Sequence, residues 1–446
     1  MKKNMVMLGA GESGVGAALL AKQKGFDVFV SDGAVIKPSF KDELARHSID
    51  FEEEGHSKEK ILNASMIIKS PGVPEKNAMV KQVREKGIEI ISEIEFAYRY
   101  KGDSKIIGIT GSNGKTTTTA LIYHICKTAG LDCAVVGNIG FSFARQVATD
   151  PKKIYVVEVS SFQLDDIKEF RPDIAVLTNI TEDHLDRYEY KFENYIESKF
   201  RIIENQTSED VFVYNNDDEI TKKYLNKFLN KSKPLPMSIN KELPEGAYIV
   251  NAEMHLKWEQ EEMCMSVEDF AIKGIHNQYN TMAAGISAGV MGIRKEKIRD
   301  AIQTFKSLEH RMSTVATIKG VEFINDSKAT NVNSTWYALE SMTKPVILIL
   351  GGVDKGNDYS FIKDLVKEKV KAIVCMGLDN TKIHAAFGEE VQLIVNTKSA
   401  KEAVHAAFHF ADKGDVVLLS PACASFDLFK NYEDRGMQFI EAVKDL

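Results

Sequence analysis

The chain has 446 residues, 44% of them hydrophobic and 27% charged, with a formal net charge of −7. At ~150 residues per domain this predicts about three globular domains with ample core. The negative balance, with no basic tract, argues against nucleic acid as a partner. Five cysteines (Cys126, Cys133, Cys264, Cys375 and Cys423) lie far apart. Their odd count and wide spacing suggest neither a disulfide framework nor a zinc motif, and they read as reduced thiols. The apolar N-terminal stretch is interrupted by Glu12 and by glycines, and no run approaches the ~20 residues that cross a bilayer. The expectation is a cytoplasmic protein without a membrane span.

Strand and helix signals alternate through three blocks, residues 1–93, 94–306 and 307–446, which predicts an α/β fold of three domains. The first block opens with a predicted strand over 5–8 and the turn Gly9-Ala10-Gly11-Glu12-Ser13-Gly14. A helix over 15–24 and a strand over 27–30 follow, and Asp32 lies just beyond. Three glycines in that spacing, with an acid about 20 residues on, form a dinucleotide-binding fingerprint. A further strand over 66–69 runs into Ser70-Pro71-Gly72-Val73-Pro74, at the sheet edge where doubly wound folds bind ligands. Taken alone, this block leaves a nicotinamide- or flavin-dependent oxidoreductase open.

In the second block an apolar run ends at Gly111-Ser112-Asn113-Gly114, and Lys115-Thr116-Thr117 open a helix predicted to reach residue 128. Glycines let consecutive N–H groups face phosphate oxygens, and the positive end of the helix faces the same anion. Lys115 is placed to reach the β/γ-phosphates of a nucleoside triphosphate, and Thr116 to bind Mg2+. Gly111 precedes Gly114 by three residues, where the usual pattern has five. Strands are predicted over 134–136, 154–159, 174–178 and 211–214, an antiparallel hairpin within 247–267, and a helix over 281–292. Glu158, an acid in an apolar strand, reads as a Mg2+ ligand or as a carboxylate satisfied by a neighbouring base. His184 stands in the ionisable cluster Glu182-Asp183-His184-Leu185-Asp186-Arg187, as a ligand for metal or substrate or as a solvated loop residue. Lys199, on a helix of mixed character over 192–203, reads by default as a surface lysine.

The third block starts with a hairpin over 314–318 and 321–324 and continues with strands over 346–350, 372–376, 391–395 and 416–420. Three polar turns follow strands: 325–331, 351–356 and 420–427. Each reads singly as a helix cap, and together they suit a small anion such as an amino-acid carboxylate. A nucleotide-like groove, a triphosphate loop with candidate Mg2+ ligands and a basic-polar pocket, each on its own domain, fit a ligase better than a simple NTPase.

The runs 110–117, 158–164, 178–187 and 276–280, with Lys199 and His310-Arg311, together resemble the Mur ligases. These are ATP-dependent amide-forming enzymes of bacterial cell-wall synthesis, related to folylpolyglutamate synthetases. The resemblance spans essentially the whole chain in order. Residues 325–331 and 421–436 resemble the D-glutamate-adding branch, the alternative being a sibling that uses another amino acid. The resemblance implies a Rossmann-like N-terminal domain, a central P-loop-type mononucleotide-binding domain and a Rossmann-like C-terminal domain. It also implies that ATP phosphorylates the carboxylate of UDP-N-acetylmuramoyl-L-alanine and that the amine of D-glutamate attacks the acyl phosphate.

By the same resemblance Gly111, Ser112, Asn113, Gly114, Lys115, Thr116, Thr117, Asn277, Asn280, Arg311 and Asp326 contact ATP, with Lys328 near its phosphates. Lys115 stabilises the transferring phosphoryl group. Thr116 and Glu158 hold one Mg2+, and His184 with a carbamylated Lys199 helps place a second. An ammonium cannot bind a cation, whereas a carbamate presents carboxylate-like oxygens. Ser13, Gly14, Asp32, Ser70, Gly72 and Asn138 line the UDP-sugar site, so Glu12 must turn away from that diphosphate. Thr330, Lys355, Ser425, Phe426 and Tyr432 surround D-glutamate. The expected partners are these substrates alone, bound by a monomer.

Overall fold

The computed structural model describes residues 4–306, 310–354 and 356–446, apart from the side chains of Asp186 and Asn333. The fold is three-domain α/β with predominantly parallel sheets, as the alternation predicts. The chain divides into two compact units, Met1–Phe270 with Tyr279–Thr304 and Ala271–Gln278 with Phe305–Leu446. Two sheets lie in the first unit and one in the second. Among the described residues no helix is long and apolar enough to cross a membrane.

The first sheet comprises β1 (Asn4–Leu8), β2 (Asp27–Ser31), β3 (Asp50–Glu52), β4 (Met66–Lys69) and β5 (Glu89–Ser92). All are parallel, in the order β3-β2-β1-β4-β5. The order reverses between β1 and β4, so the turns after these two strands diverge and leave a crevice at their C-terminal ends. The following helix starts at Glu12, three residues before the predicted 15, because Gly11 already serves as its N-cap.

The second sheet comprises β6 (Lys105–Thr110), β7 (Cys133–Gly137), β8 (Ile154–Glu158), β9 (Ile174–Leu177), β10 (Val211–Asn215), β11 (Lys233–Ser238), β12 (Gly246–Val250), β13 (Glu253–Trp258) and β14 (Glu261–Ser266). Their order is β14-β13-β12-β11-β10-β9-β6-β8-β7. The predicted hairpin is a three-strand antiparallel meander, β12-β13-β14. β11 is absent from the sequence reading because Pro234 and Pro236 mark it as unsuited to a sheet interior. It tolerates them because Lys233, Leu235 and Met237 face β10, while pairing with β12 begins only at Met237.

The third sheet comprises β15 (Ser313–Ile318), β16 (Val321–Asn325), β17 (Val346–Leu350), β18 (Val370–Met376), β19 (Ile394–Thr397) and β20 (Val416–Leu419), in the order β15-β16-β20-β17-β18-β19. Only β15 and β16 pair antiparallel. β16, β20 and β17 are neighbours, so the three polar turns that follow them leave one edge side by side. β19 begins three residues later than predicted, because Val391 N–H still bonds Phe387 O at the end of the helix Thr381–Phe387.

Two carboxylates at the start of the helix Glu93–Tyr98 are buried with unequal support. Glu95 Oε2 accepts the N–H groups of Lys168, Glu169 and Phe170 at 2.9, 2.9 and 2.8 Å, and Oε1 accepts Arg99 Nε. Glu93 Oε1 accepts Ala144 N–H, while its Oε2 is buried without a partner. Burial, and then the nearby Glu12, push the Glu93 carboxyl from an ordinary 4.5 up to about 7. The folded state therefore holds this proton more tightly than the unfolded chain, and stability falls as pH rises from 4.5 through about 7. The full loss is on the order of 3 kcal/mol. Glu93→Gln removes it, so the drop in melting temperature between pH 5 and pH 8 is expected to be smaller in the variant than in the parent.

Candidate active site

β6 is buried from Ile106 onward and lies between β8 and β9. Its polar groups arrive at its C-terminal end, where Gly111 (φ +143°) and Gly114 (φ +83°) bend the chain into the helix Lys115–Thr128. A Cβ on Gly111 would stand 1.9 Å from Thr178 Oγ1, and one on Gly114 2.5 Å from Asn280 Oδ1, so neither position admits a side chain. Ser112 N–H donates to Asn179 O and Asn113 N–H to Asn179 Oδ1, both at 2.9 Å. Two N–H groups expected to face phosphate are thus engaged by the chain after β9. The first N–H groups of a helix have no intrahelical acceptor, which suits such an N-terminus to an anion. Asn280, on the helix Ile275–Val290, accepts from Thr118 Oγ1 at 3.1 Å and fixes the other side of the loop.

Lys115 Nζ curls back to Gly111 O at 2.6 Å and Ser112 O at 2.7 Å. Lys199 Nζ reaches the same Gly111 O at 2.9 Å, and Thr110 Oγ1 at 3.3 Å. The default reading of Lys199 as a surface residue is wrong: it is 2% exposed. Burial, and then the charge of Lys115, hold its amine well below the usual lysine range. Tyr195, which sequence reasoning passed over, lies one turn earlier on the same helix face. Its ring faces Lys199 Nζ at 5.1 Å and its hydroxyl lies 3.1 Å from Ser112 Oγ.

Glu158 ends β8 beside the loop, paired in register with Ile109. Its Oε1 accepts from Asn138 Nδ2 at 2.7 Å, so this asparagine contacts the carboxylate directly. Glu158 Oε2 is buried without a partner. An orphaned carboxylate oxygen with the buried hydroxyl-bearing Thr116 at the loop is a donor set suited to a hard cation such as Mg2+. His184 adopts a left-handed conformation (φ +53°), and its ring packs edge-on against Phe162 at 5.1 Å. Its Nε2 lies 3.7 Å from Asp183 Oδ2.

In the first sheet's crevice both Asp32 oxygens accept backbone N–H groups, from Ala10 at 2.6 Å and Ala34 at 2.8 Å. Ser70 Oγ donates to Gly9 O at 3.3 Å, and a Cβ on Gly14 would meet Gly9 O at 1.8 Å. Ser13 and Gly14 after β1, Asp32 after β2, and Ser70 and Gly72 after β4 thus lie in three neighbouring segments that are held together at the turn after β1. Glu12 faces Arg145, whose Nε donates at 2.7 Å, and Ser142 N–H at 3.1 Å. Its charge is turned toward the helix Phe143–Thr149.

The second unit gathers the remaining residues. His276 Nδ1 and Arg311 Nε are both buried without partners, and burial with the Arg311 charge pushes the imidazole down to about 4. Asn277 Nδ2 donates to Lys273 O at 2.8 Å. Asp326 accepts from Ser420 Oγ at 2.9 Å and Met312 N–H at 3.3 Å, and burial pushes its carboxyl up to about 7. Lys328 Nζ lies 5.2 Å from the centre of the Tyr432 ring. Thr330 is half-buried, Ser425 is buried and Phe426 is 71% exposed. Lys355 lies outside the described residues, between Asp354 and Gly356, whose N–H donates to Asp354 Oδ1 at 2.7 Å. A cleft of about 290 Å³ beside this turn is lined by Val353, Asp354, Tyr359, Lys382 and Asp427 among others.

Arg435 escaped the sequence reading, which had no means of telling a buried arginine in a polar helix from an exposed one. It is 1% exposed. Its guanidinium donates to Ser327 Oγ (3.0 Å), Ser327 O (2.8 Å) and Cys423 O (3.1 Å), tying the turn after β16 to the turn after β20.

A phosphate loop with converging lysines, set among parallel sheets beside a carboxylate with one oxygen unpartnered, fits a nucleotide-dependent enzyme. The sequence matches the Mur ligase MurD-like N-terminal domain over residues 3–92, the Mur ligase middle domain over 109–288 and the Mur ligase glutamate ligase domain over 310–423. The chain belongs to the Mur ligase family. It is 52% identical over 446 residues to the UDP-N-acetylmuramoylalanine–D-glutamate ligase of Christiangramia forsetii, covering 100% of both chains. It is 54% identical over 445 residues to the ligase of the same name from Bacteroides fragilis, again covering 100% of both. The fold is also that of MurF ligase from Thermotoga maritima, with a TM-score of 0.62 at 15% identity over 98% of this chain and 97% of that one.

Arg435→Met leaves three buried acceptors without their donor, at ~1–3 kcal/mol each before relaxation. The expected result is a loss of several kcal/mol in chemical denaturation. Arg435→Lys is expected to recover only part, since one ammonium cannot span all three oxygens.

Proposed function

We infer that this chain is an ATP-dependent ligase that adds D-glutamate to UDP-N-acetylmuramoyl-L-alanine in peptidoglycan precursor synthesis, releasing ADP and phosphate. The observation that carries this reading is end-to-end identity above half with D-glutamate ligases, joined to a phosphate loop on which two lysines converge. We assign the UDP-linked substrate to residues 1–93, ATP to 94–306 and D-glutamate to 307–446. The crevice between β1 and β4, the loop after β6, and the adjacent turns after β16, β17 and β20 support these assignments in turn.

A carboxylate oxygen of the UDP-linked substrate attacks the γ-phosphorus of ATP, and the bond to the ADP oxygen breaks. The amine of D-glutamate then attacks the acyl carbon and loses a proton, and phosphate leaves. Lys115 supplies positive charge where the transferring phosphoryl group becomes most anionic, and the first turn of its helix supplies N–H donors. Thr116 and Glu158 would hold Mg2+, which neutralises phosphate charge and aligns the reacting oxygens. Asn277, Asn280, Arg311 and Asp326 would contact ATP, with Lys328 near its phosphates. Thr330, Lys355, Ser425, Phe426 and Tyr432 would surround D-glutamate.

Lys199 is buried with its amine held toward the neutral form, and a neutral amine is the species that adds CO2, releasing a proton. The resulting carbamate, with His184, would serve a second Mg2+. Lys199→Ala is expected to lower turnover at least ~100-fold, with partial recovery on adding acetate or propionate. Full activity in the variant would remove the lysine from the reaction, and inactivity without recovery would count against the carbamate.

The overall reading is tested by phosphate release with ATP, Mg2+ and UDP-N-acetylmuramoyl-L-alanine, comparing D-glutamate, L-glutamate, L-lysine, meso-diaminopimelate and no amino acid. Release with D-glutamate alone is expected. Release with a different amino acid would keep the ligase chemistry and overturn the assignment of the third domain's ligand.

A further inference from the structure

We propose that the outer hairpin of the nine-stranded sheet forms a binding site for a borderline-soft divalent cation such as Zn2+, with His255, Glu262 and Cys264 as ligands. β13 and β14 pair antiparallel, with His255 opposite Cys264 and Lys257 opposite Glu262, so all four side chains share one face. Cys264 Sγ lies 3.2 Å from His255 Nδ1, Glu262 Oε1 lies 3.3 Å from the same nitrogen, and the sulfur and carboxylate oxygen are 3.9 Å apart. Tetrahedral zinc, with bonds of ~2.0–2.1 Å to nitrogen or oxygen and ~2.3 Å to sulfur, needs edges of about 3.3 Å (N to O) and about 3.6 Å (to S). The three atoms already stand within a few tenths of an ångström of that face.

The surroundings support the same chemistry. Tyr248, opposite His255 on β12, stacks on the imidazole at 4.8 Å with only 4° between the planes, which fixes the ring's orientation. The second ring nitrogen, Nε2, is 3.7 Å from Glu253 Oε2, close to the carboxylate–histidine–metal arrangement that sets the tautomer of a ligating imidazole. Nδ1 then carries the lone pair, and Cys264 gives up its thiol proton on binding. The donor set of one nitrogen, one sulfur and one carboxylate oxygen selects against Mg2+, which takes oxygen ligands. Lys257 Nζ, 3.4 Å from Glu262 Oε1, is the competing cation and must swing aside.

Four strands, β12, β11, β10 and β9, separate β13 from β6, roughly 24 Å of sheet from the phosphate loop. The site is therefore separate from the one that serves ATP. Register alone creates it: the ligands are seven and nine residues apart in sequence and match no familiar metal spacing. A bound ion would cross-link the last two strands at the sheet's edge.

The test uses the full-length protein, stripped with a chelator and titrated with Co2+ and then Zn2+. The expected result is thiolate-to-cobalt charge-transfer absorption saturating at one equivalent and displaced by Zn2+. The absorption is lost in Cys264→Ser, and Glu253→Gln weakens zinc binding ~10–100-fold in competition with a chromophoric chelator. Glu262→Gln should weaken binding without touching the sulfur, and matching melting temperatures of the metal-free proteins would show that the variants fold. No charge-transfer absorption in the parent, or absorption undiminished in Cys264→Ser, overturns the proposal.

Discussion

Two lysine side chains meet on one carbonyl oxygen, that of Gly111, and much of the first unit is arranged to make this possible. Two ammonium groups on one acceptor repel, by roughly 4 kcal/mol at a separation of ~4 Å and an effective dielectric constant near 20, so they cannot share it on equal terms. Burial separates them. Lys115 is half-exposed at the start of its helix, whereas Lys199 is enclosed and pushed toward the neutral amine by burial and by Lys115 itself. One side chain stays half-exposed at the loop, and the other is enclosed with its amine held below the usual lysine range. This requires Gly111 at a φ open to glycine, Thr178 where a Cβ would stand, and Tyr195 beneath the Lys199 amine.

Parallel sheets explain why the polar residues collect where they do. β6 from Ile106 onward, and β8 and β9 along their length, are buried, so the polar groups that can meet a ligand gather at their C-terminal ends. Glu158 is paired with Ile109 and Gly137 in the sheet interior, where a carboxylate is costly unless engaged. Asn138 engages one oxygen, and the other is left within the site. The same logic operates in the first sheet, where both oxygens of Asp32 hold backbone N–H groups. Asp32 in this structure fixes the turns around the crevice.

What the sequence made legible was local. The strand ending at Thr110, the glycines after it and the lysine opening a helix are written in consecutive residues, and the structure places each as read. The fate of Lys199 was not legible from periodicity, because its helix carries charged residues on one side and buries Tyr195, Ile196, Lys199 and Phe200 on the other. Only the loop from β6, far away in sequence, turns that lysine into an interior residue. Arg435 was missed for the same reason, since its three acceptors come from two turns about a hundred residues apart. β11 was hidden by prolines whose missing donors fall before its pairing with β12 begins.

The third sheet converts separate loops into one surface. Arg435 binds the turn after β16 to the turn after β20, and Val353 and Ala424 exchange backbone hydrogen bonds of 2.8 and 3.2 Å that join the turns after β17 and β20. A Cβ on Gly352, at φ +135°, would stand 2.2 Å from Ala424 O, so this close approach requires glycine. Three turns cross-linked in this way cannot shift independently. Polar groups that recognise a small ligand must be held to fractions of an ångström, and side chains supported by shared backbone and a buried cation meet that demand better than mobile loops. The buried guanidinium carries no carboxylate partner among the described residues and contacts neutral oxygens instead. It holds the turns after β16 and β20 in one shape.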